Sequence, residues 1–127
     1  MDDALREKTK KTAKMLFHTL KGGVGFEDWK KIDKELAREL SMFFTGKLYS
    51  REVISQKQRE LCAVASLTVL NRELEVHAHI HAALNVWASK REVAEVIFQQ
   101  VTYGGMPVVV EALRVFKEVL VERGEWD

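Results

Sequence analysis

Asn71-Arg72-Glu73-Leu74-Glu75-Val76-His77-Ala78-His79-Ile80-His81-Ala82-Ala83-Leu84-Asn85 is the stretch whose reading decides the fold. It is rich in Ala, Leu and Glu and free of Gly and Pro, a composition that favours helix. Just upstream, Arg59-Glu60-Leu61-Cys62-Ala63-Val64-Ala65-Ser66-Leu67 has the same character. Three histidines and several carboxylates thus lie within two mostly apolar helical segments. Burying such groups alone costs several kcal/mol, so they must be paired, solvated at a cleft or used in proton transfer. The leading expectation is a small acid/base site.

Working outward, one proline and seven glycines interrupt the chain, between helix-periodic segments rather than inside them. An all-α fold of about six helices follows. The first covers about 3–20 and ends at Gly22-Gly23-Val24-Gly25; the second runs from Glu27 or Asp28 to about Leu40, with Ile32, Leu36 and Leu40 as its buried face. Phe43 and Phe44 carry the chain across the core, and 41–54 reads as a linker. Ser55 with Gln58, and Ser89 with Glu92, match the capping box and mark two helix starts. Helices are expected over Gln56 to about Leu70, Arg72 to Trp87, Lys90 to Tyr103, and Val108 to Arg123, with Asn71 as a turn residue and Pro107 in a first turn.

The 127 residues suit one domain, and 46% hydrophobic with 31% charged residues is globular. A net charge of +1 gives no general attraction to nucleic acid or anionic membrane. No apolar run approaches the length needed to span a bilayer, residues 1–14 are too charged for a secretory signal, and the lone Cys62 fits a reducing compartment. The chain reads as soluble and cytoplasmic. The lysines between Lys8 and Lys14 read as a solvated helix face.

His77-x-His79-x-His81 suggests a metal, but on a helix His77 and His81 lie about 40° apart while His79 points about 160° away from them. Glu73, His77 and His81 could form a one-face ligand set, against the plainer account of a solvated polar face. The face of His79 carries Glu75, Ala82, Ala83 and Val86, so it is either a core histidine or a proton donor and acceptor. Glu60 likewise is either an exposed first-turn acid favoured by the helix dipole or part of the site. Cys62 reads as a buried small hydrophobe, Trp87, Phe98 and Tyr103 as packing residues, and Phe116 as core with Leu113 and Leu120. Trp126 is a candidate contact with a neighbouring subunit.

Gln58-Arg59-Glu60-Leu61, Asn71-Arg72-Glu73-Leu74, His79 before Ala82-Ala83-Leu84-Asn85, Ser89 to Val96, and Tyr103-Gly104-Gly105-Met106-Pro107 occur in an order that is similar to one known family. Residues 26–121 resemble the carboxymuconolactone decarboxylase family, which shares an all-helical bundle fold with alkylhydroperoxidase D. The resemblance implies a cofactor-independent decarboxylation of a small carboxylated lactone, as in aromatic-compound catabolism. Glu60 and His79 would occupy the acid/base positions, and Arg51, Arg59 or Arg72 would bind a substrate carboxylate. Gln99, where the family often has a histidine, and Tyr103 are further substrate-binding candidates. A homo-oligomer, trimeric or hexameric, is implied as well, with no metal and no organic cofactor. The peroxidase branch needs Cys-x-x-Cys where this chain has Arg72 and Glu75, so disulfide-cycling peroxidase activity is not expected. Asn85-Val86-Trp87 stands where the decarboxylases commonly show Asn-Asn-Gly. Two alternatives remain beside the lyase: a non-catalytic or ligand-binding oligomer of the same fold, and a protein holding a metal on Glu73, His77 and His81.

Overall fold

In the computed structural model, which describes residues 3–21 and 25–127, the chain runs through α1 (Asp3–Phe17), α2 (Phe26–Trp29), α3 (Lys34–Ser41), a π-helical segment (Met42–Leu48), α4 (Gln56–Val69), α5 (Glu73–Asn85), α6 (Lys90–Gln99), α7 (Val101–Gly104) and α8 (Met106–Glu122). The all-α expectation holds, with no strand among the described residues. These residues form two compact units, 1–55 and 56–127. No helix among them is long and apolar enough to cross a membrane.

In the first unit α1 packs on the π-helical segment, burying Leu16, Phe17 and Met42. The approach is close enough that a Cβ added to Gly46 would meet Thr9 Oγ1 at 2.2 Å. The lysines of α1 are exposed, as expected, and Thr9 and Thr12 are buried. Elsewhere this half departs from the sequence reading. The single helix expected up to Leu40 is two, because Asp33 takes an extended conformation and accepts a hydrogen bond from Leu36 N at 3.0 Å, capping a new helix. That break removes the common face of Ile32, Leu36 and Leu40. Ile32 is 86% exposed, Leu36 and Leu40 are exposed too, and Ala37 is the buried residue of α3. The expected linker at 41–54 contains the π-helical turn, and Phe43 faces outward rather than into the core. Phe44 instead stacks between Phe26 (5.9 Å) and Tyr49 (4.4 Å). Of the glycine breaker, residues 22–24 lie outside the described residues.

The second unit is a bundle in which α5 packs against both α4 and α8. Its core joins Val64 of α4, Val76 and Ile80 of α5, Val93 and Ile97 of α6, and Val109, Phe116 and Val119 of α8. Phe116 and Leu120 are buried as expected, with Leu113 packed beside them. Helix ends here are chemically explicit. Ser89 and Glu92 form the reciprocal capping box at the head of α6. At the end of α4, Asn71 adopts φ 57°, and the pair Arg72 N to Leu67 O and Asn71 N to Thr68 O, both 3.0 Å, completes a Schellman motif. Gly124, at φ 69°, ends α8 the same way through Glu125 N to Leu120 O at 2.8 Å.

The third such ending was not legible. Trp87 occupies the left-handed position after α5, at φ 78°, with Ala88 N bonded to Ala83 O at 3.0 Å. A bulky residue there is strained, and it stands where the resembling family commonly has glycine. Trp87 is 89% exposed, and Phe98 and Tyr103 are exposed as well, so none of the three is the packing residue expected. Cys62, expected in the core, is exposed on α4. The helix expected over 90–103 ends at Gln99, and the four-residue α7 follows it.

Candidate active site between two central helices

Glu60 lies in the second turn of α4 and is completely buried, which rejects the exposed first-turn reading. Its Oε1 lies 2.7 Å from His79 Nδ1 on α5. The Schellman turn at Asn71 reverses the chain so that these residues, nineteen apart in sequence, face each other. An ionised carboxylate can only accept, so Nδ1 carries the proton of this bond and Nε2 becomes the nitrogen available for proton exchange. The His79 side chain is 12% exposed, enclosed yet reachable. Glu60 Oε2 is buried with no hydrogen-bond partner among the described residues. Such an orphaned oxygen is costly, because a buried ion needs its lone pairs satisfied.

The other expected site residues are spread more widely. Arg59 is half-buried on α4, next to Glu60. Arg72 is exposed at the head of α5, about 10 Å along the helix axis from His79. Gln99 at the end of α6 and Tyr103 on α7 are exposed, and Arg51 is exposed in the first unit. Within the single chain, Glu60 and His79 are brought into direct contact.

The opposite face of α5 holds a second cluster, whose carboxylate differs from the one expected. Glu73 pairs with Arg114 at 3.0 Å, in a surface network that also contains Glu111, rather than with the histidines. Glu122, in the last turn of α8, takes that place, its Oε1 lying 2.5 Å from His77 Nε2 and 3.5 Å from His81 Nε2, with Oε2 3.1 Å from His77 Nε2. His81 is buried rather than part of a solvated face. Burial is the largest cause holding its pKa below the ordinary 6.5, against the opposing hydrogen bond with Glu122. Burial works against the Glu122 carboxylate, but the hydrogen bonds and charges of His77 and His81 outweigh it and leave its pKa lowered. Glu122 was missed because forty-five residues separate it from His77, and only the packing of α8 on α5 joins them.

The sequence model of the carboxymuconolactone decarboxylase family matches residues 34–118, two thirds of the chain. The chain belongs to the carboxymuconolactone decarboxylase family. It is 36% identical over 88 residues to an uncharacterized 15.0 kDa protein in the nqo9–nqo10 intergenic region of Paracoccus denitrificans, a match covering 68% of this chain and 65% of that protein. It is 29% identical over 98 residues to 4-carboxymuconolactone decarboxylase of Acinetobacter baylyi, covering 77% of this chain and 73% of the relative. The Glu60–His79 pair and the whole of α4, α5 and α6 fall inside the matched family segment.

Proposed function

We propose that this member of the carboxymuconolactone decarboxylase family is a cofactor-independent carboxy-lyase acting on a small carboxylated lactone, with His79 and Glu60 as its acid/base pair. The observation that carries the reading is the buried Glu60 carboxylate, held 2.7 Å from His79 Nδ1 with no partner for its second oxygen among the described residues. A carboxyl group kept out of water at that cost, against an imidazole, suits proton-transfer chemistry better than packing. The name of the Acinetobacter relative supports the substrate class.

In the proposed reaction the bond between the lactone carbon and its carboxylate breaks, carbon dioxide leaves, and the electron pair moves into conjugation with the lactone carbonyl. The carbanion must then take up a proton. His79 Nε2 delivers it, and Glu60 fixes the ring orientation and tautomer and balances the imidazolium before transfer. Arg59 is the residue we assign to a substrate carboxylate, through the planar fork of its guanidinium, because it is half-buried and adjacent to Glu60. Arg72, Gln99 and Tyr103 are candidate substrate contacts, in a trimeric or hexameric assembly that covers exposed apolar residues such as Phe98 and Met106.

The test is the loss of ultraviolet absorbance of 4-carboxymuconolactone on addition of purified protein. His79→Ala should lower the rate by about 10²- to 10⁴-fold while leaving the helical circular dichroism intact. Full activity in that variant refutes the assignment of His79. No turnover by the unmodified protein favours a ligand-binding role for the same fold.

A further inference from the structure

His77 and His81 are one helical turn apart on α5, with ring centroids 5.0 Å apart, and the Glu122 carboxylate from α8 lies against both Nε2 atoms. Each of the three side chains offers one ligand atom, and these atoms lie within 4.8 Å of one another. Around a zinc ion with bonds of about 2.1 Å, tetrahedral ligand atoms stand about 3.4 Å apart. Glu122 Oε1 stands 3.5 Å from His81 Nε2, which fits that spacing, and 2.5 Å from His77 Nε2, which is shorter and must open on binding. His77, with its side chain 26% exposed, is the ring able to turn, both lengthening that contact and closing on His81.

We propose that His77, His81 and Glu122 form a binding site for zinc or a similar late first-row divalent ion, clamping the end of α8 to α5. Two imidazoles and one carboxylate select that class over magnesium or calcium, which prefer all-oxygen shells. One side of the cluster is built and the other is open. His81 is buried in the helix packing, whereas His77 and Glu122 are 26% and 36% exposed on the wall of a surface groove shared with Lys117 and Val121. An ion could arrive from the groove and complete its shell with water. The site is separate from the proposed acid/base pair, since His79 projects from the opposite side of α5.

Arg123 sets the cost of binding. Its Nη1 lies 3.3 Å from His81 Nδ1, and a guanidinium only donates, so Nδ1 accepts and Nε2 carries the proton when no metal is present. An ion binding at Nε2 must therefore displace that proton, either to solvent or to Nδ1. In the second case Arg123 gives up that contact and keeps the bonds it already donates to Glu125 Oε2 at 2.7 Å and Asn85 Oδ1 at 2.9 Å.

The experiment is calorimetric titration of the chelator-stripped full chain with zinc chloride, paired with thermal melting. The expected result is saturable binding of about one ion per chain and a rise in melting temperature. His77→Ala and Glu122→Gln should each weaken affinity at least tenfold and abolish the rise, with unchanged circular dichroism, whereas His18→Ala should bind as the unmodified chain does. Absence of saturable binding, or equal binding by the His77 and Glu122 variants, overturns the proposal. Because the readout is binding rather than turnover, neither result depends on the decarboxylase reading.

Discussion

Replacing Glu60 by Met tests whether the buried carboxylate is present for chemistry or for stability. Glu60 is fully buried, Oε1 is bonded to His79 and Oε2 has no partner among the described residues. Methionine is similar in length and flexible enough to fill the same space, so no sizeable cavity term enters. Two changes then oppose each other. Losing a charge-assisted hydrogen bond costs about 1.5–3 kcal/mol, while removing an incompletely satisfied buried ion returns several kcal/mol of desolvation. The partner left behind is an imidazole, which can shed a proton and is partly exposed, so no stranded charge remains. The balance is neutral to stabilising by about 1–3 kcal/mol, measurable as an increased urea midpoint at unchanged slope. The same variant should lose at least about 10²-fold in decarboxylase rate, since the ring of His79 is no longer held in one tautomer. A loss of more than about 3 kcal/mol, the range for breaking a buried pair, would refute the reasoning and make Glu60 a structural residue.

Three further outcomes follow from particular residues. Trp87→Asn should raise stability by about 0.5–1 kcal/mol in thermal melts, because asparagine tolerates the left-handed conformation and an almost fully exposed indole gives up little packing; a lower melting temperature would show that Trp87 makes contacts beyond the single chain. Ser89→Ala removes the capping box of α6 and should cost about 1 kcal/mol in chemical denaturation, with amide exchange accelerating first at residues 90–93. The folded pKa values of His81 and Glu122 both lie below their ordinary values of 6.5 and 4.5, so in each case the unfolded chain holds more protons as pH falls. Stability should therefore decline on acidification, first below about 6.5 through His81 and again below about 4.5 through Glu122. Urea midpoints against pH check this, and Glu122→Gln should shrink the second decline without removing it, because the pKa values of Glu92 and Glu111 are lowered as well; a midpoint that rises on acidification through this range contradicts the sign.

The features legible from residues alone were those set by near neighbours in sequence. Helix identity and most ends in the second half were readable because capping is local: Ser89 meets Glu92 within one turn, and Asn71 accepts a left-handed conformation on its own. Periodicity failed in the first half because one residue, Asp33, starts a helix and cancels a face that Ile32, Leu36 and Leu40 would share in an unbroken one. Cys62 and Tyr103 were misplaced for a related reason: hydrophobicity fixes what a residue prefers, not which side of its helix meets the core.

Sequence by itself determined an all-helical chain with ionisable groups placed on its two central helices, since propensity and capping act over a few residues. Tertiary structure alone decided which of those groups meet. Glu60 and His79 come together across the α4–α5 turn, and Glu122 rather than Glu73 joins His77 and His81. The reason is that side-chain pairing between helices depends on their relative rotation and separation, which are set by the packing of Val64, Ile80 and Val119 in a shared core and not by any local segment.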